Sequence, residues 1–331
     1  MANPPGESAA TGPVAEFVLG IMEIFYGDQP ADTPPGTVDA STLKRRVDAL
    51  IAEVVGDPPA PLGLSPEQLG AETAAAAWDA AENGDNAAPD LALLALRYWP
   101  SCADAYVLLG LSAGDQADLA LPLFTLGVVA GAEALGPAPF SEEGVDAGFW
   151  LNPETRPFMA ALGFLARTNR EIGALDAAAV HFAEMLRLNP SDDQGARYEL
   201  MSIALAIGDM ETATNLFRAY ADDTGPVFAY ARSLFAFRHG GDDDRSRLAL
   251  RDAREGNAHV PPFMLGAKPI PEELDEEFEA GGESEAALCA ELLRPAWEST
   301  PGAMDWLRAQ TAGLVNIAPP PKEKRSGPRQ L

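Results

Sequence analysis

The chain has 331 residues, is 47% hydrophobic and carries a formal net charge of -27. That length allows a large buried core or two domains. The acidic balance argues against nucleic acid, which is bound by releasing counterions to Lys and Arg, and against anionic membrane surfaces. Its plain meaning is a soluble acidic exterior.

Residues 1–13 are mostly Pro, Gly, Ser and Ala, a composition that predicts disorder. Residues 14–62 read as two helices and a Pro-rich linker. Ala15 to Tyr26 repeats Phe17, Ile21, Ile24 and Val18, Met22, Phe25 at helical spacing, and Pro30, Pro34 and Pro35 end it. Ser41 to Val55 carries the stripe Leu43, Val47, Leu50, Ile51, Val54, followed by the linker Pro58 to Pro61. These helices act either as a cap on the adjacent helical core or as an arm that docks on a partner, and regular apolar stripes favour the cap. Ser65-Pro66-Glu67-Gln68 then predicts a capping box with Pro at the first helical position.

From there to residue 317 a repeat is visible. Gly173, Ala178, Phe182 and Gly208, Ala213, Phe217 share the spacing Gly-x4-Ala-x3-Phe, 35 residues apart. That period is the signature of a tetratricopeptide-type solenoid of helical hairpins. Gly marks the turn between paired helices, Ala allows close approach, Phe fills the gap, and Pro190 stops the second helix. The small-residue positions run Ala88, Ala120, Ala178, Ala213, Ala249, with gaps of 32, 58, 35 and 36. About five helix pairs are expected in an all-α fold. Residues 136–157 are expected to form an ordered insertion anchored by Phe149 and Trp150. Residues 318–331 read as a basic, Pro-rich, disordered tail.

Further segments carry a family resemblance. Phe149-Trp150 with Glu154-Thr155-Arg156-Pro157-Phe158-Met159, Arg187 to Tyr198, Asn257 to Gly266, Ser284-Glu285-Ala286, Gly302 to Leu307, and Pro100 to Tyr106 all contribute to it. Over residues 85 to 310 the chain resembles bacterial tetratricopeptide proteins related to the suppression-of-tumorigenicity 7 family. Asp193, where Asn is usual, and Ala160, where a basic residue is common, depart from the pattern. The resemblance implies a helical repeat protein without established enzymatic activity. Animal members of the family look membrane-associated, but nothing in this chain matches their spanning segments.

No chemistry is legible. His181-Phe182-Ala183-Glu184 lacks the zincin arrangement, and His259, just before Val260-Pro261, is expected to pack at a repeat turn. Asp192-Asp193 and Asp242-Asp243-Asp244 do not reproduce a calcium loop. Cys102 and Cys289 allow one disulfide, but two buried thiols are the expected state, and neither Gly240-Gly241 nor Gly281-Gly282 opens a phosphate loop. No enzyme, cofactor or metal is expected. The start Met1-Ala2-Asn3-Pro4-Pro5 lacks a basic secretory segment. The longest uncharged apolar run, Asp118 to Glu133, is short for a bilayer and contains Pro122. A cytoplasmic protein is expected.

The first helix of each hairpin lines the concave side of such an array. On it fall Gly163, Arg167 and Arg170, then Tyr198, Ser202 and Leu205, then Ala231, Leu234 and Arg238 with Arg232 alongside. Arg167, Arg170, Tyr198, Arg232 and Arg238 are therefore candidate contacts for a peptide or protein. An acidic partner suits them, because guanidinium groups pair two-fold with carboxylates. Equally, those Arg residues neutralise neighbouring carboxylates. The expected function is a protein–protein interaction adaptor. The alternative is a structural subunit of a larger complex held through the N-terminal helices or the tail.

Overall fold

The computed structural model describes residues 12–27, 40–59, 63–146, 148–271 and 279–312. Of residues 1–13, expected to be disordered, 1–11 lie outside the described residues, as do the prolines at 30, 34 and 35 and the tail at 318–331; Pro13, however, opens the first helix, where its missing N–H costs nothing. The fold is all-helical, with sixteen α-helices and no β-strand among the described residues. The chain divides into two compact units, residues 1–196 and 197–331.

The first unit contains α1 (Pro13–Met22), α2 (Ala40–Val55), α3 (Pro66–Glu82), α4 (Ala88–Tyr98), α5 (Ala103–Ser112), α6 (Ala117–Leu135), α7 (Glu142–Asp146), α8 (Arg156–Glu171) and α9 (Leu175–Leu188). Helix α3 starts as its sequence dictates. Ser65 accepts the Gln68 N–H, the Gln68 side chain returns to the Ser65 N–H, and Pro66 occupies the first turn. The pairs α3–α4, α5–α6 and α8–α9 pack side by side, and α1 and α2 lie on α4 and α6. Phe17, Ile21, Val47 and Ile51 are buried in one cluster with Leu93, Leu96, Leu123 and Leu126. At the α8–α9 turn Gly173 has φ 78°, a conformation that costs glycine little, while Ala178 and Phe182 beyond it are buried.

Helix α6 runs further than the uncharged stretch of sequence suggests. By length and composition it alone among the described helices could cross a membrane, and 44% of that window is buried in protein. Pro122 lies inside it and has no N–H to give the Asp118 carbonyl four residues earlier. The Tyr26 hydroxyl donates to that carbonyl instead, at 3.0 Å. Tyr26 arrives there on a π-helical turn, Glu23–Gly27, that continues α1. In the expected insertion 136–157, residues 138–140, 142–146, 149–151 and 153–155 form short helical turns, and 156–157 already belong to α8. Phe149 is buried, with Phe140 at 5.3 Å and Phe158 at 6.1 Å between ring centroids. Trp150 is half-buried beneath the Arg156 guanidinium.

The second unit contains α10 (Ala196–Ile207), α11 (Met210–Ala219), α12 (Pro226–Gly240), α13 (Asp244–Gly256), α14 (Val260–Met264), α15 (Glu283–Glu298) and α16 (Ala303–Thr311). Gly208, with φ 81°, turns α10 into α11, and the Asp209 side chain caps α11 through the Thr212 N–H. Asp243 caps α13 by accepting from the Arg245 and Ser246 N–H groups. Helix α12 packs against α13 and α15. Phe237, Trp306 and Trp297 stack, with centroid spacings of 4.6 and 6.0 Å. The Trp306 Nε1–H donates to Asp242, whose carboxylate also receives two bonds from Arg247.

Candidate functional site

Helices α10, α11 and α12 bring together two of the five residues that the sequence singles out. Tyr198 meets the edge of Phe228 at 5.9 Å, and the Arg232 guanidinium lies 5.6 Å from the same ring and 5.4 Å from Phe217. Phe228 is fully buried, while Tyr198, Phe217 and Arg232 are half-buried. An Arg stacked on rings keeps its charge at the surface while its stem covers apolar area. Arg232 also donates to the Asp223 carbonyl at 2.9 Å, which ties α12 to the turn before it. Burial, only partly offset by Asp223, draws its pKa down.

Sequence reasoning missed the neighbours of Tyr198. The Arg197 guanidinium stands 4.2 Å from the Tyr198 ring and 5.4 Å from Tyr220, and donates from Nε to the Asp223 carboxylate at 2.8 Å. Its second arm donates to the Tyr198 hydroxyl. Burial opposes ionisation of Asp223, yet the bonds from Arg197 and the Gly225 N–H hold its carboxyl below the usual range. Burial and then the Asp223 charge push the Tyr198 phenol up to about 12. Asp223 also carries the turn from α11 to α12. The only local signal was Asp222-Asp223-Thr224-Gly225-Pro226, a turn sequence that says nothing of a partner on α10.

Arg238 sits elsewhere. The expected face of α12 is packed inward, with Ala231 and Leu234 fully buried. Arg238 therefore reaches neighbouring helix ends. It donates to the Leu205 carbonyl at 2.7 Å, the Ala296 carbonyl at 3.2 Å and the Thr300 hydroxyl at 2.9 Å. Leu205 lies in the last turn of α10 and Ala296 in the last turn of α15, where carbonyls lack intrahelical donors and carry the negative end of the helix dipole. Beside it opens a cleft of about 550 Å³, lined also by Gly208, Phe237 and Ser299.

Arg167 and Arg170 lie on α8 in the first unit, both half-buried. The Arg167 guanidinium stands 5.7 Å from the Phe164 ring, and its Nη1 lies beside Gly163, which faces Met185 of α9. Burial lowers the pKa of His181 and raises that of both cysteines, Cys102 to about 11. Among the described residues no group of His, Cys, Asp and Glu could hold a metal ion. Each unit thus carries guanidinium groups stacked on aromatic rings, Arg167 on Phe164 in the first and Arg197 and Arg232 on their rings in the second. No protein-family model matches the chain, and no curated protein matches it.

Proposed function

We propose that this chain is a non-enzymatic interaction scaffold that binds a peptide or protein partner in the cytoplasm. In this reading it is a tetratricopeptide-type solenoid of about five helix pairs, with α1 and α2 as caps, as the resemblance to the suppression-of-tumorigenicity 7 family implies. The repeat spacing, the glycine turns at Gly173 and Gly208 and the buried Ala178 and Ala213 support it. The observation that carries the functional part is Arg232 laid across Phe217 and Phe228 beside Tyr198. Rings and stacked guanidinium groups are the residues most enriched at binding hot spots. On α8, Arg167 beside Phe164 offers a similar pairing, with Arg170 one turn on. Arg238, whose bonds join helix ends, contributes at the cleft it lines.

The test compares partners captured by the purified full chain with those captured by Arg167→Glu/Arg170→Glu and by Arg232→Glu. Thermal melting establishes that each variant is folded. The scaffold reading expects the acidic partners to disappear from at least one variant, and capture by the parent to weaken with salt. An identical partner list from all three proteins refutes the assignment of these residues.

A further inference from the structure

Two stretches of the first unit carry no cation. The sequence holds no Lys, Arg or His before Lys44, and none between Arg97 and Arg156. Helix α1 comes from one stretch and the α5–α6 turn from the other. Where they meet, Val18 and Met22 of α1 and Asp115, Gln116, Asp118 and Leu119 line a cleft of about 370 Å³. That is the small end of the roughly 300–1,000 Å³ of ligand pockets, suited to a side chain or two of a docked segment. Val18 and Met22 stand one turn apart and pack on the core while remaining partly open, and Leu119 is buried. The Tyr26 bond to the Asp118 carbonyl ties α1 to this turn. On the outward face of α1, Glu16, Leu19 and Glu23 follow at i, i+3 and i+7, all exposed. Leu19 is 71% exposed, so apolar surface continues from the cleft into solvent.

The charged residues that line this cleft, Asp115 and Asp118, are both acidic and both exposed. Neither carboxylate is held by a cation or a hydrogen-bond donor among the described residues. Elsewhere carboxylates are paired within the chain: Asp57 with Arg97, Glu184 with Arg187, Asp223 with Arg197 and Asp242 with Arg247. Lys44 of α2, a helix packed against α1, is buried and bound to Asp48 and Glu133. The start of α6 does not turn the cleft into an anion site. The Ala117 and Leu119 N–H groups donate to the Asp115 and Gln116 carbonyls at 3.0 Å. Asp118, in the first turn, offsets the positive end of the helix dipole.

We propose that this cleft docks a basic segment of a partner protein, one in which an aliphatic side chain stands beside Lys or Arg. The aliphatic group enters between Val18, Met22 and Leu119, and the cation reaches Asp115 and Asp118. A second cation lays its stem over Leu19 and points its head toward Glu16 or Glu23. This surface belongs to the first unit and takes the charge opposite to that suited to the Arg and ring pairs. It therefore goes beyond the scaffold reading and stands or falls apart from it. Charge complementarity selects the occupant. The carboxylates at the cleft and the net charge of -27 act with the same sign, so long-range attraction and local contact favour one partner. The apolar floor then distinguishes that segment from a bare polycation, which gains only the general attraction.

The experiment measures fluorescence anisotropy with the full chain and four labelled peptides at physiological ionic strength. The first is Gly-Arg-Leu-Lys-Leu-Arg-Gly. The second replaces its Leu by Ser, the third replaces its cations by Glu, and the fourth copies residues 318–331 of this chain. The first is expected to bind, and the second and third to bind about tenfold more weakly or worse. Asp115→Asn/Asp118→Asn should melt like the parent and weaken the first peptide about tenfold. Leu19→Ser, at an exposed position, should weaken it about threefold or more. Glu142→Gln/Glu143→Gln removes the same charge from exposed positions on α7 and should leave the affinity unchanged. If Asp118→Asn disturbs the start of α6, Asp115→Asn with Leu19→Ser, both outside that helix, carry the test. Equal losses in the two double variants overturn the site, because charge is then read over the whole surface. Unchanged affinity in the cleft variants also overturns it, and so does a Ser peptide that binds as tightly as the first. Tighter binding of the 318–331 peptide overturns a foreign partner in favour of a second copy of this chain. Failure of the first peptide to bind the parent overturns the inference, and the partner-capture comparison of the Arg variants decides the scaffold reading on its own.

Discussion

Replacing Arg238 by Met keeps the apolar stem and removes every donor. Three bonds are lost, to Leu205, Ala296 and Thr300. They differ in consequence. The Ala296 carbonyl still accepts from the Ser299 and Thr300 hydroxyls at 3.1 and 2.7 Å, so it does not become an orphan. Thr300 retains that bond as well. Leu205 is fully buried, and its carbonyl loses the donor that Arg238 supplied. Bonds to charged groups contribute about 1.5–3 kcal/mol each, and a buried acceptor left unpaired costs about 1–3 kcal/mol. Since the guanidinium is only half-buried and one bond is long, the whole change is expected to cost about 2–4 kcal/mol. Arg238→Lys should recover little, because one ammonium cannot span acceptors on α10 and α15. The assay is equilibrium urea unfolding of the full chain, followed by tryptophan fluorescence and circular dichroism. Trp297 and Trp306 report on the affected helices, and Trp306→Phe assigns the transition to that unit. If Arg238→Met unfolds within about 0.5 kcal/mol of the parent, the range of an ordinary surface change, the role given to Arg238 fails.

Local chemistry sets two further outcomes. Tyr26→Phe should cost about 0.5–1.5 kcal/mol by removing the donor to the Asp118 carbonyl. In a Pro122→Ala background the helix supplies its own donor, so the cost should shrink. A double-mutant cycle by urea unfolding measures that coupling, and additive effects would show that Tyr26 does not serve the proline gap. Asp242 gives a pH dependence. The bonds from Arg247 and then Trp306 depress its pKa in the folded state. Its contribution is therefore present above the unfolded value, about 4, and is lost as pH falls through the lower folded value. Between about pH 5 and 3 the parent should lose stability more steeply than Asp242→Asn. Parallel pH profiles for the two proteins would count against the Asp242 hub.

Much of the local structure was legible because it is governed by neighbours in sequence. Ser65 and Gln68 cap α3 through atoms three residues apart, and Pro66 has no N–H to waste in the first turn. Helix α8 spans Arg156–Glu171 with Pro157 in its first turn, where the missing N–H costs nothing. Gly173 and Gly208 both adopt positive φ, where a side chain would be strained, and the Ala five residues beyond each is buried. Apolar spacing on α1 and α2 marked Phe17, Ile21, Val47 and Ile51 as inward residues.

The candidate site was harder to read because helical periodicity gives angular spacing around an axis, not the identity of the neighbour on each side. On α12 two stripes look alike in sequence: Ala231, Leu234, Arg238 and Phe228, Arg232, Phe235, His239 each mix apolar residues with cations. Packing against α13 and α15 buried the first and sent Arg238 to helix ends more than thirty residues away in either direction. It left the second partly open, with Arg232 on its rings. Likewise nothing near Arg197 announces Asp223, and nothing near Pro122 announces Tyr26. Caps, turns and helix limits are settled within a few residues, where bonding geometry is fixed by chain connectivity. Which surface faces outward, and which distant carbonyl a guanidinium meets, depends on how whole helices pack, and that is settled only in the tertiary structure.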